Sequence, residues 1–179
     1  DIVTVMFGWN DHWLAPERDA VRLARAGSPL VTAVRNALAR KRLIVALART
    51  FKKKTEGATL RVPPEDYAQG LRELVAAIRQ SGAEPLLLTA PRAATISGHL
   101  INAGHARSVS EALQLHDAYA EITRRIAREE QVRLFDLAAH FTRPEDFSRD
   151  GVHYQGEGIE RIALLLHREL MEWKKDARP

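Results

Sequence analysis

The sequence contains no cysteine among its 179 residues. This absence excludes disulfide bonds, thiolate metal sites and cysteine nucleophiles within the chain, although it does not assign a cellular compartment. The sequence also has no apolar run of membrane-spanning length and no signal-peptide pattern at its front. Because the first residue is Asp rather than Met, we expect a processed, cleaved or truncated N-terminus, and the localisation stays open.

Several binding signals are also missing. No glycine-rich loop follows any predicted strand, which disfavours a dinucleotide or phosphate binder. Few aromatic residues interleave with the basic ones and no nucleic-acid-binding module is visible, so we expect no nucleic-acid partner. His12 has no partner at metal-ligand spacing, and we predict neither a metal nor a cofactor.

The net charge of +4 conceals a strongly basic segment. Residues 14–62 hold 12 Lys or Arg against 3 Asp or Glu, whereas the remainder holds 15 against 20. We interpret 14–62 as a basic helical insertion or lid, because it interrupts the alternation of strands and helices. Its charge is consistent with a solvated helical face, with attraction of an anionic substrate, or with contact of residues 43–54 with an anionic membrane surface.

The rest of the sequence alternates apolar strands with amphipathic helices. The predicted strands are buried apolar runs over 1–7, 86–89 and 132–137. The predicted helices cover 64–81, 110–130 with Ser110 as N-cap, and the run after Gly158. This order predicts one α/β domain over 1–179, with a parallel sheet covered on both faces. Ligands of such sheets bind beyond the carboxyl ends of the strands, where Gly8, Pro91 and the 138–153 loop fall.

Two short motifs at this end of the sheet carry chemistry. Asp150 and His153 are three residues apart in a turn, so the carboxylate could orient the imidazole as a general base. Asn10 follows the first strand and brings an amide donor that could stabilise an oxyanion. Taken singly, each motif is also typical of an ordinary turn.

Three further residues surround Asn10. Trp9, His12 and Trp13 are candidates for the wall of a substrate pocket. Packing of the two tryptophans in the core is an equally good interpretation.

Together, and in this order, the two motifs resemble those of the SGNH (GDSL-type) hydrolases. Gly8-Trp9-Asn10-Asp11 is similar to the family's third block, Gly-x-Asn-Asp, and Asp150-Gly151-Val152-His153 to its fifth block, Asp-x-x-His. The resemblance covers roughly the whole chain except 14–62. It implies a three-layer α/β/α fold of the flavodoxin-like type and metal-free cleavage of acyl esters. It also implies that His153 is the general base, Asp150 its partner and Asn10 an oxyanion donor.

The family's nucleophile has no counterpart in this sequence. Its first block, Gly-Asp-Ser, and its second block, with an oxyanion glycine, both precede the third block. None of the six serines has the first-block context: Ser28, Ser81, Ser97, Ser108, Ser110 and Ser148. We therefore expect the serine in a segment N-terminal to this chain, on the same polypeptide or a separate one. Without that segment, strand 1–7 should form an apolar edge and the chain should be inactive.

The resemblance implies a serine ester hydrolase that removes an acyl or acetyl group from a carbohydrate or lipid ester. An O-acyltransferase that uses the same site is one alternative. A non-catalytic binding module on the same fold is the other.

Overall fold

A parallel sheet flanked by helices forms the centre of the molecule. The computed structural model describes residues 1–26, 58–141 and 143–176. The elements are β1 (Ile2–Phe7), β2 (Leu14–Ala15), α1 (Asp19–Ala26), β3 (Thr59–Leu60), α2 (Pro64–Gln80), β4 (Glu84–Thr89), α3 (His99–Asn102), α4 (Val109–Glu129), β5 (Arg133–Phe135), α5 (Leu137–His140), a 3-10 turn (Pro144–Asp146) and α6 (Glu157–Asp176).

Three strands pair in the order β1-β4-β5 within the described residues. Both pairings are parallel, with Ile2 opposite Glu84 and Phe7 opposite Thr89 in the first, and Leu87 opposite Leu134 in the second. The parallel α/β architecture predicted from the sequence is thus confirmed. All three strands end at the same edge, which carries the loops that hold Asn10 and His153.

The alternation of side chains along β4 separates two hydrophobic clusters. Leu87 packs with Val5 of β1 against the apolar faces of α2 and α4. Leu86 and Leu88 point to the other face, where half-buried apolar residues of α6 cover them. Because successive strand residues face opposite sides, this arrangement requires helices on both faces. The predicted three-layer α/β/α fold is confirmed.

Strand β1 is much more exposed than its apolar sequence predicts. Only Val5 of its six residues is buried, and the Phe7 side chain is 54% exposed. The prediction of a buried strand is therefore wrong for most of β1. The reason is positional, since β1 pairs with β4 on one side and with no other described strand on the opposite side. The apolar edge that the sequence predicts in the absence of a further strand is present.

The N-cap of α4 lies two residues before the predicted one. Ser108 is the N-cap, with extended backbone, and its hydroxyl accepts the Glu111 N–H. The predicted cap, Ser110, lies inside the helix, where its hydroxyl accepts a bond from Gln114. The Glu111 carboxylate also accepts the Arg107 N–H, so both partners favour the earlier start.

The two ends of the predicted insertion are tied together beside the Asn10 turn. Strands β2 and β3 pair antiparallel, and the Arg61 guanidinium binds the Asp19 carboxylate at 2.7 Å. The helix predicted over the middle of this segment and the membrane-contact stretch 43–54 lie outside the described residues. The interpretation of 14–62 as a lid stays a prediction.

Candidate active site

The turn that holds Asp150 and His153 is closed by backbone hydrogen bonds. The Ser148 N–H donates to the His153 carbonyl at 2.7 Å, and Phe147 forms an antiparallel bridge with Tyr154. Gly151 takes a φ of +76°, a conformation that favours glycine. This tight turn brings His153 Nδ1 to 2.6 Å from Asp150 Oδ2.

The Asp150 carboxylate is held by four donors. Oδ1 accepts the Ser148 hydroxyl at 2.6 Å and the N–H groups of Val152 and His153 at 2.9 and 3.0 Å. Partial burial raises the pKa of Asp150, but these hydrogen bonds and the one from the His153 ring outweigh it, so the pKa lies well below its usual range. Asp150 is therefore ionised at neutral pH, and its oxygens can only accept hydrogen bonds. It follows that His153 Nδ1 carries the proton and that Nε2 of the neutral ring is free to act as a base.

The Asn10 turn is fixed through its backbone. Gly8 follows β1 with a φ of +127°, and its N–H donates to Asp11 Oδ2 at 2.9 Å. The Asp11 carbonyl accepts the Val62 N–H at 2.9 Å. Asp11 thus ties the turn in place, while the Asn10 residue itself is exposed.

One cleft brings the two motifs together. It has a volume of about 620 Å³ and is lined by Gly8, Trp9 and Asn10 on one side and by Val152, His153 and Tyr154 on the other. Ala90, just past β4, also lines it. The cleft therefore lies beyond the carboxyl ends of β1 and β4, as expected for a parallel sheet. It contains a base with an oriented proton and an exposed amide donor.

A sequence model of the GDSL-like lipase/acylhydrolase family matches residues 1–161. The chain belongs to this family. Two solved structures are similar in fold. One is a GDSL-like lipase from Bacteroides thetaiotaomicron, with 13% identity, a TM-score of 0.49, and coverage of 64% of this chain and 55% of that chain. The other is a lipase/acylhydrolase from Enterococcus faecalis, with 14% identity, a TM-score of 0.48, and coverage of 94% of each chain.

The match to the first of these structures thus spans about half of that lipase. No curated protein sequence matches the chain.

The three residues predicted to line a substrate pocket lie in two different environments. Trp9 and Trp13 line the cleft of this GDSL-like protein. His12 is 1% exposed, and its Nε2 lies 3.4 Å from His116 Nδ1. His12 is thus part of the layer beneath the cleft, and its predicted contact with substrate finds no support in its position.

Trp13 also separates the cleft from a smaller cavity of about 280 Å³ on the other side of His153. The Trp13 ring stacks on His105 with centroids 4.5 Å apart. Both tryptophan rings are therefore packed against neighbouring rings and also line the cleft, and their contact with a substrate stays a prediction.

Two serines lie near the base. Ser148 gives its hydroxyl to Asp150, and Ser97 lines the smaller cavity, where its hydroxyl accepts the His99 N–H at 3.4 Å. Within the described ranges, neither hydroxyl forms a hydrogen bond with the His153 ring. Neither serine is therefore paired with the base as a nucleophile.

The described residues offer no cluster of three or more His, Asp or Glu side chains arranged for a metal ion. Among their helices, none has both the length and the hydrophobicity needed to cross a bilayer.

His116 is a buried residue of this site that sequence reasoning missed. It is 2% exposed on α4, and Trp9 stacks on it with centroids 4.0 Å apart. Its helical spacing resembles that of any core residue, and it meets His12 across 104 positions of sequence. No pattern of neighbouring residues in the sequence predicts a contact over this separation.

The buried His12–His116 pair predicts a stability that falls in mild acid. Burial, together with repulsion from His116, lowers the pKa of His12 to about 3. Burial lowers the pKa of His116 to about 4, against the opposing effect of its bond to the Ala90 carbonyl. Unfolded histidines bind protons near pH 6.5, so between about pH 6.5 and pH 4 only the unfolded state takes them up. Stability is full above that window and is lost as the pH falls through it.

We expect the free energy of unfolding to fall by on the order of 3 kcal/mol between about pH 7 and pH 5. Urea unfolding at each pH measures it. Aspartates contribute little here because they titrate near pH 4 when unfolded. A flat profile would mean that the pair is protonated in the folded protein.

Proposed function

We propose that this chain supplies the general base, its orienting carboxylate and an oxyanion donor of a serine ester hydrolase. The substrate is an acyl or acetyl ester of a carbohydrate or lipid. The observation that carries the proposal is the cleft in which His153, with its Nδ1 proton bound by Asp150, and the exposed Asn10 amide line the same space.

These groups support a two-step reaction. His153 Nε2 takes the proton of a serine hydroxyl as its oxygen attacks the ester carbonyl, and Asn10 donates to the resulting oxyanion. Asp150 stabilises the imidazolium, which then gives its proton to the leaving alcohol. Water, deprotonated by His153, attacks the acyl-serine in the second step and releases the acid and the free serine.

We place the nucleophilic serine on a polypeptide segment N-terminal to this chain that pairs with the edge of β1 opposite β4. Two features support this placement. No strand of the described residues pairs with that edge, and it exposes apolar side chains, including those of Met6 and Phe7. A parallel strand on that edge would also end beside the cleft, within reach of His153.

The 179-residue chain alone should then show no His153-dependent ester turnover, because no serine of its described residues is paired with the His153 ring. The measurement is hydrolysis of a p-nitrophenyl acyl ester by the chain, by its His153→Ala variant and by the chain joined to the preceding segment. We expect the first two to match and the third to turn over the ester. Robust hydrolysis by the chain alone that disappears in His153→Ala would overturn the placement of the serine.

A separate experiment tests Ser97, because this serine lines the cavity next to His153. If the chain alone did hydrolyse the ester, loss of that activity in Ser97→Ala but not in Ser81→Ala would move the nucleophile to Ser97.

The same groups support O-acyl transfer when an alcohol replaces water in the second step. Product analysis in the presence of an alcohol acceptor separates hydrolysis from transfer. The mostly apolar lining of the cleft, with Phe7, Trp9 and Ile159, suits an acyl group in either reaction.

A further inference from the structure

His116 lies beneath the cleft and joins three structural elements. Its Nε2 is 2.7 Å from the Ala90 carbonyl, just past the end of β4. A carbonyl oxygen can only accept, so His116 Nε2 carries a proton and Nδ1 presents a lone pair. That lone pair faces His12 Nε2 at 3.4 Å, which assigns the His12 proton to Nε2. The two rings thus form one chain of hydrogen bonds, in which His12 donates to His116 and His116 donates to the Ala90 carbonyl just past β4.

Trp9 reinforces this connection from the other side of Asn10. Its indole ring stacks on His116, with an angle of 26° between the planes, and its N–H donates to the Pro91 carbonyl at 3.2 Å. Trp9 and His12 flank the Asn10-Asp11 pair in the chain. Both flanks of the Asn10 turn are therefore attached to the segment that follows β4, and both attachments involve His116.

The Asn10 side chain has no such attachment of its own. It is exposed and forms no hydrogen bond with any residue in the part of the chain that the structure describes. The position of its amide therefore depends on the backbone of the turn. An oxyanion donor must be placed to within a few tenths of an ångström to stabilise charge at the reacting centre.

We propose that His116 is a positioning residue for Asn10: it locks the oxyanion-donating turn to the end of β4 through His12, Ala90 and the Trp9 ring. The inference rests on the proposed function of Asn10 as oxyanion donor. Burial supports it, because a ring whose pKa lies near 4 stays neutral, and keeps its single proton on Nε2, at the pH values where esterases are assayed.

The test uses the complete enzyme, which is this chain together with the segment that carries the serine. His116→Phe keeps the stacking surface for Trp9 but removes both ring hydrogen bonds. We expect kcat to fall by about 10- to 100-fold with KM changed less than about twofold. His116→Gln retains a donor and an acceptor and should recover most of kcat. His140→Gln, at an exposed position at the end of α5, is the matched control and should behave as wild type.

A double-mutant cycle with Asn10→Ala identifies the route of the effect. If His116 acts through Asn10, His116→Phe should cause little further loss in the Asn10→Ala background. A full and additive loss, or a normal kcat for His116→Phe in the Asn10 enzyme, would overturn the role of His116 while leaving the proposed function intact. Full activity of Asn10→Ala itself would instead refute the oxyanion role of Asn10.

Hydrogen exchange on the 179-residue chain gives a readout that needs no catalysis. In His116→Phe, the amides of Gly8 and Val62, which bond to Asp11, should lose protection, whereas Leu87 in the centre of β4 should keep it. Unchanged protection at Gly8 and Val62 would contradict the proposal that His116 holds the Asn10 turn in place. If the Phe variant does not fold, the same double-mutant cycle and exchange measurement are made with His116→Gln and His116→Asn. These two variants decide the question, since only the Gln side chain reaches both the Ala90 carbonyl and His12.

Discussion

Replacing His153 with alanine should lower kcat for ester cleavage by about 10³-fold or more in the complete enzyme. The variant loses the group that takes the proton from serine and returns it to the leaving alcohol, and its partner Asp150 cannot replace it as a base. Asp150 is unsuitable because its pKa is lowered and its oxygens are occupied by donors.

The fold should tolerate this substitution, which makes the result interpretable. The His153 side chain is 78% exposed, and its removal leaves the backbone bonds of the turn in place. Urea midpoints of wild type and variant should agree closely, while initial rates on a p-nitrophenyl ester separate them. His167→Ala, an exposed histidine on α6, should retain full turnover. An active His153→Ala enzyme would mean that another base operates in the cleft.

Asp150→Asn offers a finer comparison. The side chain keeps its size, but an amide no longer ensures that His153 Nδ1 is the protonated nitrogen. We expect a smaller loss of kcat than for His153→Ala, measured on the same ester.

The layered fold was predictable because its signals are local. The β-branched and apolar runs around β1, β4 and β5 alternate with helical spacing in α2, α4 and α6, and each of these elements forms close to its predicted limits. Burial of β1 was not predictable in the same way. An apolar run is typical of a buried strand, but its exposure depends on whether a second strand covers it, and that is a property of the neighbours rather than of the run.

The contacts of the candidate site also differ in whether they are local in the sequence. Asp150 and His153 interact over three residues of sequence, so a motif of four residues contains their geometry. The pairing of His12 with His116 spans 104 residues and depends on how α4 packs against the Asn10 turn. The proximity of His12 to Asn10 in sequence therefore favours a position in the substrate pocket, whereas packing turns the side chain to the interior.

Replacing Gly151 with alanine should destabilise the chain by about 3 kcal/mol, because two costs add. The φ of +76° disfavours any residue with a Cβ. The added methyl group would also overlap the Thr95 carbonyl, which is backbone and cannot rotate away as a side chain would. The Ala93 N–H donates to the Gly151 carbonyl at 3.1 Å, so the turn cannot shift without losing that bond.

Gly70→Ala is the matched control for this substitution. Gly70 lies in α2, and a Cβ there would meet nothing within 4 Å. Alanine should therefore stabilise the chain by about 0.5–1 kcal/mol through helix propensity, opposite in sign to Gly151→Ala. Urea unfolding of both variants at neutral pH measures the contrast. Equal midpoints for Gly151→Ala and wild type would mean that the turn relaxes around the methyl group, and the 2.6 Å contact between Asp150 and His153 would then not depend on the conformation of Gly151.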